Sequence, residues 1–150
     1  MMFKTHLAFG FLVALFMVKF FAPANEILFF SLVIIASVLP DIDHPNSKIG
    51  KNFKLVGFLF EHRGFFHSVF ALMLLFAVLL FFIKSYILGI AVLTGYGAHI
   101  FIDAFSKQGI MPFHPLSRFR ISGFIKTNGI AEYLIFLLIV LADIIKIVKM

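Results

Sequence analysis

The stretch YILGIAVLTGYGAHIFIDAF (residues 86–105) sets the class of fold. At twenty residues it matches the length of a straight membrane-crossing helix, and it contains no Lys, Arg or Glu. Its one aspartate, Asp103, stands four positions after its one histidine, His99. On a helix that spacing stacks both side chains on one face, as two ligands of one metal ion require. A hydrogen-bonded pair at a helix end uses the same spacing. Ionisable groups inside an apolar segment are costly and by default functional. Gly95, Gly97 and Ala98 let another helix or a substrate chain approach closely.

The composition around this stretch is of the same kind. Of 150 residues, 62% are hydrophobic and 13% charged, with a mean hydropathy of +1.09. A soluble domain carries about 25% charged and about 45–50% apolar residues, so the chain reads as an integral membrane protein. Its length suits a single domain, residues 1–150, with no room for a second soluble one. Cysteine is absent, which excludes disulfides and thiolate zinc sites, so any metal must sit on imidazole and carboxylate. The charge of +6 is spread over loops beside apolar segments. Anionic lipid headgroups are its simplest partner, and no nucleic-acid interface is expected.

Five apolar stretches, roughly 7–22, 26–39, 65–83, 86–105 and 130–148, predict an all-α fold. The expectation is a polytopic transmembrane helical bundle of about five membrane segments with two long cytoplasmic loops, 40–64 and 106–129. The second stretch is short for a span of about 17 residues or more. The first lacks a small-residue cleavage pattern and has His6 at its start, so it is not read as a cleaved signal peptide. Lys4, Lys48, Lys51, Lys54, Arg63, Lys107, Arg118, Arg120 and Lys126 gather on one side, against Lys19, Lys84, Lys146 and Lys149 on the other. The richer side is expected to be cytoplasmic, with the N-terminus inside. Alternating spans then bring His6, Asp41, Asp43, His44, His62, His67, His99 and Asp103 to that same side.

Each motif has a chemical and a plainer reading. LPDIDHPNS (39–47) offers Asp41, Asp43 and His44 between two prolines that end the helix. These residues either converge on a cation or form an Asx turn. EHRGFFHS (61–68) supplies His62 and His67, with Gly64 marking a loop-to-helix transition and Ser68 suited to cap the helix that follows. Arg63 suits a phosphate or carboxylate on the substrate, or else a simple interfacial position. His6 gains its case from its company, and His114 in PFHP is a ligand, a substrate contact or neither. Glu132 orients a ligand, serves acid–base chemistry or simply charges a helix N-terminus. A His/Asp set without sulfur suits zinc, with manganese and iron(II) as alternatives. Eight candidates exceed one closed four-ligand shell, so two ions with open positions are expected. Paired ions activate water and clamp both oxygens of a phosphoester displacement, which makes hydrolysis the natural chemistry.

Taken in order, THLAFG, LPDIDHPNSKIG, HRGFFHS, GYGAHIFIDAF and the later KTNGIAEYL resemble the YdjM-like family of membrane-bound metal-dependent hydrolases. The resemblance spans almost the whole chain. It implies a small helical inner-membrane protein with metal ligands at the eight residues named above. Where the family commonly has threonine before the HS pair, this chain has Phe66, which removes a hydroxyl from that position. The His99–Asp103 pair is also similar, over those two residues, to one in zinc-dependent phospholipase C enzymes. The expected function is a membrane-embedded hydrolase acting on a phosphoester or ester of a lipid or other amphipathic substrate. Asp41, Asp43 or Glu132 would serve as base or water-orienting group, and Arg63 would hold the substrate anion. A divalent-metal transporter and a metal-stabilised membrane scaffold are the alternatives.

Overall fold

The computed structural model describes residues 1–45 and 47–149; Asn46, inside the LPDIDHPNS motif, and Met150 lie outside the described residues. Six α-helices follow in chain order: α1 Phe3–Phe21, α2 Glu26–Ala36, α3 Lys54–Leu59, α4 Val69–Ile83, α5 Tyr86–Ala104 and α6 Ile130–Val148. Short 3₁₀ segments at Leu39–Asp43, Gly50–Asn52 and Phe65–His67 complete the set. No β-strand is present among the described residues. The loop 106–129 is folded back on itself through two isolated bridges, Ser106 with Ile125 and Ile110 with Ile121.

Local chemistry explains the boundaries. The Asn25 side chain accepts the Leu28 amide at 2.9 Å and starts α2. Pro40 enters at the start of the 3₁₀ segment, where α2 has already ended. Ser68 does cap α4, accepting the Ala71 amide at 3.2 Å, so the 65–83 stretch divides into a 3₁₀ turn and a shorter helix. Lys84 closes α4 in the left-handed region, at φ 54°.

Helix α5 is the centre of the bundle. Helices α1, α2 and α4 pack on it, and α6 packs on α1. Ala14, Val18, Phe29, Val33 and Ala91 are buried where α1, α2 and α5 meet. Close approach of α2 depends on Gly95, where a Cβ atom would collide with the Val33 carbonyl oxygen and lie 2.9 Å from the Ala36 Cβ. Gly97 faces open space, with nothing within 4 Å of a Cβ built there.

By length and composition, α1 and α5 are long and apolar enough to cross a membrane. The other three apolar stretches differ for separate reasons. Helix α2 has 11 residues and α4 has 15, below the usual minimum of about 17. Helix α6 has 19 but carries Glu132, Asp143 and Lys146. The chain alternation brings one set of ends together: the start of α1, the exit of α2, the entry to α4, the last turn of α5 and the first turn of α6.

Gly95→Ala is expected to lower stability by about 1–3 kcal/mol, the usual cost of overpacking a close contact. Gly97→Ala, with open space for its methyl group, should raise it by up to about 1 kcal/mol, the usual gain of alanine over glycine inside a helix. Thermal unfolding of the two variants in detergent, followed by circular dichroism, checks this; equal midpoints would dismiss Gly95 as the closure point of α2 on α5.

Candidate metal centre

The shared end of the bundle buries an unusual set of groups. Asp43, His67, Asp103 and Glu132 have no exposed surface, and His6 and His99 have almost none. Each is delivered by a different local device. His6 lies in the first turn of α1, His99 and Asp103 in the last turns of α5, and Asp41 and Asp43 on the 3₁₀ segment after α2. His67 closes the 3₁₀ turn before α4.

Asp43 is a hub. Its Oδ1 lies 2.9 Å from His62 Nδ1, its Oδ2 lies 3.1 Å from His67 Nδ1, and Oδ2 also accepts the Arg63 backbone amide at 3.1 Å. Burial pushes its carboxyl pKa up, but the hydrogen bonds and charge interactions with His62 and His67 outweigh that and bring it to about 2. Asp43 is therefore a carboxylate, and only an acceptor, at any physiological pH. Both rings must accordingly carry their proton on Nδ1 and direct Nε2 elsewhere. Burial and the neighbouring His62 push the pKa of the half-buried His44 ring down from its ordinary value. The ring packs edge-on to His62 with centroids 4.3 Å apart.

The same logic fixes His99. Its Nδ1 lies 2.8 Å from the Ser37 carbonyl oxygen, which can only accept, so the proton sits on Nδ1. His67 Nε2 and His99 Nε2 then face each other at 3.2 Å, turned away from the partners of their Nδ1 atoms. Around them stand Asp103 Oδ2, 3.6 Å from His67 Nε2 and 3.8 Å from His99 Nε2, and Asp41 Oδ1, 3.8 Å from His99 Nε2. Donors about 2.0–2.2 Å from a tetrahedral zinc ion lie roughly 3.3–3.6 Å from one another. The separations of 3.2–3.8 Å bracket that range, so a small inward shift of the side chains would gather these donors on one ion.

Two triads have ligand atoms mutually within 4.8 Å: His6 with His99 and Asp103, and Asp41 with His67 and His99. They share His99, which has one nitrogen left to give, so a single ion can use it. The His6 and His99 rings stack at 3.8 Å, and neither His6 nitrogen has a hydrogen-bond partner among the described residues. His6 Nε2 stands 3.3 Å from Asp103 Oδ1, close enough for charge but not aligned for a hydrogen bond. A buried imidazole with both nitrogens unbonded is a further sign that this cluster suits a cation.

Other predicted residues stand at the edge. Asp41, His44 and His62 line a polar cavity of about 280 Å³ together with Arg63 and Gln108. Neither triad includes His44, His62 or His114. Arg63, at φ 63°, turns inward instead of toward solvent. Its Nη2 lies 3.0 Å from Asp103 Oδ2, and its Nη1 donates to Ser106 Oγ at 2.6 Å and to the Gly109 carbonyl at 2.8 Å. Glu132 accepts the Met2 amide at 2.5 Å and the Asn128 amide at 2.7 Å, joining the start of α1 to that of α6. The Met1 amino group also contacts Asp103. The motifs did not single out Ser37 or Ser106. Ser37 acts through a backbone carbonyl, which no side-chain pattern announces, and Ser106 resembles any serine that follows a helix.

This is a helical membrane protein with a buried His/Asp cluster at one end of its bundle. Residues 1–149 match the family model described as YdjM inner membrane protein, and the chain belongs to that family. It is 30% identical over 106 residues to the protein YvsG of Bacillus subtilis (strain 168), covering 67% of this chain and 66% of that one. It is 35% identical over 107 residues to the inner membrane protein YdjM of Escherichia coli (strain K12), covering 64% of this chain and 54% of the relative. The matches thus span about half to two-thirds of the relatives' length. No solved structure matches.

If Asp43 orients two rings, Asp43→Ala should weaken zinc or manganese binding about 10–100-fold, the usual effect of losing such a partner. Histidine side-chain nitrogen spectra of the metal-free variant should also lose the preference of His62 and His67 for the Nδ1–H form. Unaltered tautomers would remove Asp43 from this role.

Proposed function

We propose that residues 1–150 form one multi-pass inner-membrane domain built on the five apolar segments, with the N-terminus and the His/Asp cluster on the cytoplasmic face. In this reading the domain is a metal-dependent hydrolase of a phosphoester or ester in a lipid or other amphipathic substrate. The observation that carries it is the convergence of His67 Nε2 and His99 Nε2, 3.2 Å apart, beside the carboxylates of Asp103 and Asp41. A transport path would call for ionisable groups near mid-membrane with access to both faces; these groups gather at one end. The excess of Lys and Arg at that end supports the orientation.

The inner donors are His67, His99, Asp103 and Asp41, with His6 stacked on His99. Zinc suits them first, with manganese or iron(II) as alternatives. A second ion would draw on the cavity edge, where Asp41, His44 and His62 offer donors. When bound, such ions supply an activated water and a positive charge against the ester anion. The chain's own residues do the rest. Asp43 holds the rings of His62 and His67, and Arg63 balances the charge of Asp103 and braces the loop at Ser106 and Gly109. Asp41, facing the cavity, is the best-placed group to take a proton from a water there. Glu132 fixes the start of α1 under His6.

Protein purified in detergent without chelator should carry one to two equivalents of metal by plasma mass spectrometry, and an Asp41→Ala/Asp103→Ala double variant should lose it. Hydrolysis of phospholipid or a chromogenic phosphodiester should fall by orders of magnitude in His99→Ala with the fold retained. Undiminished turnover in that variant would reject the mechanism, and a parent protein that takes up neither zinc nor manganese would reject the metal.

A further inference from the structure

Helix α3 is too short and too apolar on its outer side to be explained by packing within the chain. At about 100° per residue, Lys54, Leu55, Phe58 and Leu59 share one arc and Val56 and Gly57 the other. The inner arc is fitted tightly to the metal-site loop. A Cβ on Gly57 would lie 2.6 Å from Pro45 Cγ and 3.1 Å from the Asp43 carbonyl oxygen. Among the described residues the outer arc is left largely uncovered: Leu55 is 69% exposed, Phe58 85% and Leu59 64%. Phe53 and Phe60, on either side, are also exposed. Between His44 and Phe60 the charged residues are all basic, Lys48, Lys51 and Lys54, and all three are exposed.

We propose that α3 is an interfacial anchor whose Leu55, Phe58 and Leu59 insert among the headgroups and upper acyl chains of the leaflet beside the metal cluster, with Lys48, Lys51 and Lys54 on anionic lipid phosphates. Apolar side chains beside lysines on a short amphipathic surface are what that layer selects. Each basic residue near an anionic surface adds about 1 kcal/mol, or about fivefold, to the attraction. Charge complementarity therefore identifies the occupant as anionic lipid of the chain's own membrane. The seat of α3 on Pro45 and the Asp43 backbone means that this anchor also holds the strip carrying Asp41, Asp43 and His44. The proposal needs only the membrane location of the family and is independent of the hydrolase reading.

The chain contains no tryptophan and no cysteine, so introduced probes report alone. Full-length Phe58→Trp in proteoliposomes of phosphatidylcholine, with and without phosphatidylglycerol, should show blue-shifted emission. Lipids brominated high on the acyl chain should quench it more strongly than lipids brominated at the chain end. Phosphatidylglycerol should deepen the quenching, and Lys48→Gln/Lys51→Gln/Lys54→Gln in the same background should abolish that increment. A spin label on Leu55→Cys gives an independent reading, with oxygen access exceeding that of a water-soluble nickel relaxant. Water-like emission unaffected by brominated lipid would overturn the proposal. So would shielding from aqueous quencher that appears without lipid quenching, since that pattern means a protein partner or a second copy covers the helix. Neither outcome would bear on metal content or turnover.

Discussion

Asp43 and Asp103 are carboxylates with no exposed surface in a bundle made largely of Phe, Leu, Ile and Val. A buried charge in such surroundings is tolerable only when it is matched by opposite charge and hydrogen bonds. Asp103 meets Arg63, His6 and the Met1 amino group; Asp43 meets His62, His67 and the Arg63 amide. Those partners come from α1, from the loop after α3 and from the entry to α4, while the two carboxylates come from α5 and from the exit of α2. Two charges thus specify where five segments of the chain must meet. Arg63 belongs to both circuits, one through its side chain and one through its backbone. That explains why a non-glycine residue is held at φ 63°, a conformation that persists only where its surroundings insist on it.

The helical elements were legible because their signal is length in an apolar code. The edges of α1, α5 and α6 fall within a few residues of the stretches read from hydropathy, and Ser68 marks the start of α4 by known backbone chemistry. Helix α3 was not legible. KLVGFL is too brief for a periodic pattern, and its apolar arc faces away from the core that periodicity detects. For the site, the residue types stood out because polar side chains are so scarce in this chain. Their roles did not, since a role here depends on which ring nitrogen faces which oxygen. Asp41 and Asp43 are two residues apart and look alike in LPDIDHP. One lines the cavity and faces His99, and the other turns its back on the cavity to hold two imidazoles. Arg63 carried the same ambiguity, and its guanidinium turns to Asp103, Ser106 and Gly109.

The shortness of α2, a defect when judged only as a membrane span, has a chemical reason in the site. A helix that ends leaves its last carbonyls without an amide partner. Ending α2 at Ala36, ahead of Pro40, leaves the Ser37 carbonyl available, and His99 Nδ1 takes it at 2.8 Å. Carrying α2 on as a regular helix would direct that carbonyl to the amide of residue 41 and remove the acceptor that sets the His99 tautomer. The approach must also be close. Gly95 admits the Val33 carbonyl from the α5 side, and Gly10 of α1 faces Ser37 so tightly that a Cβ would collide with its side chain. Two glycines on different helices, one early helix stop and one backbone oxygen therefore act together to turn a single nitrogen, His99 Nε2, toward His67 and the carboxylates. A longer, more regular α2 would take that oxygen away from His99, and the chain has the shorter one.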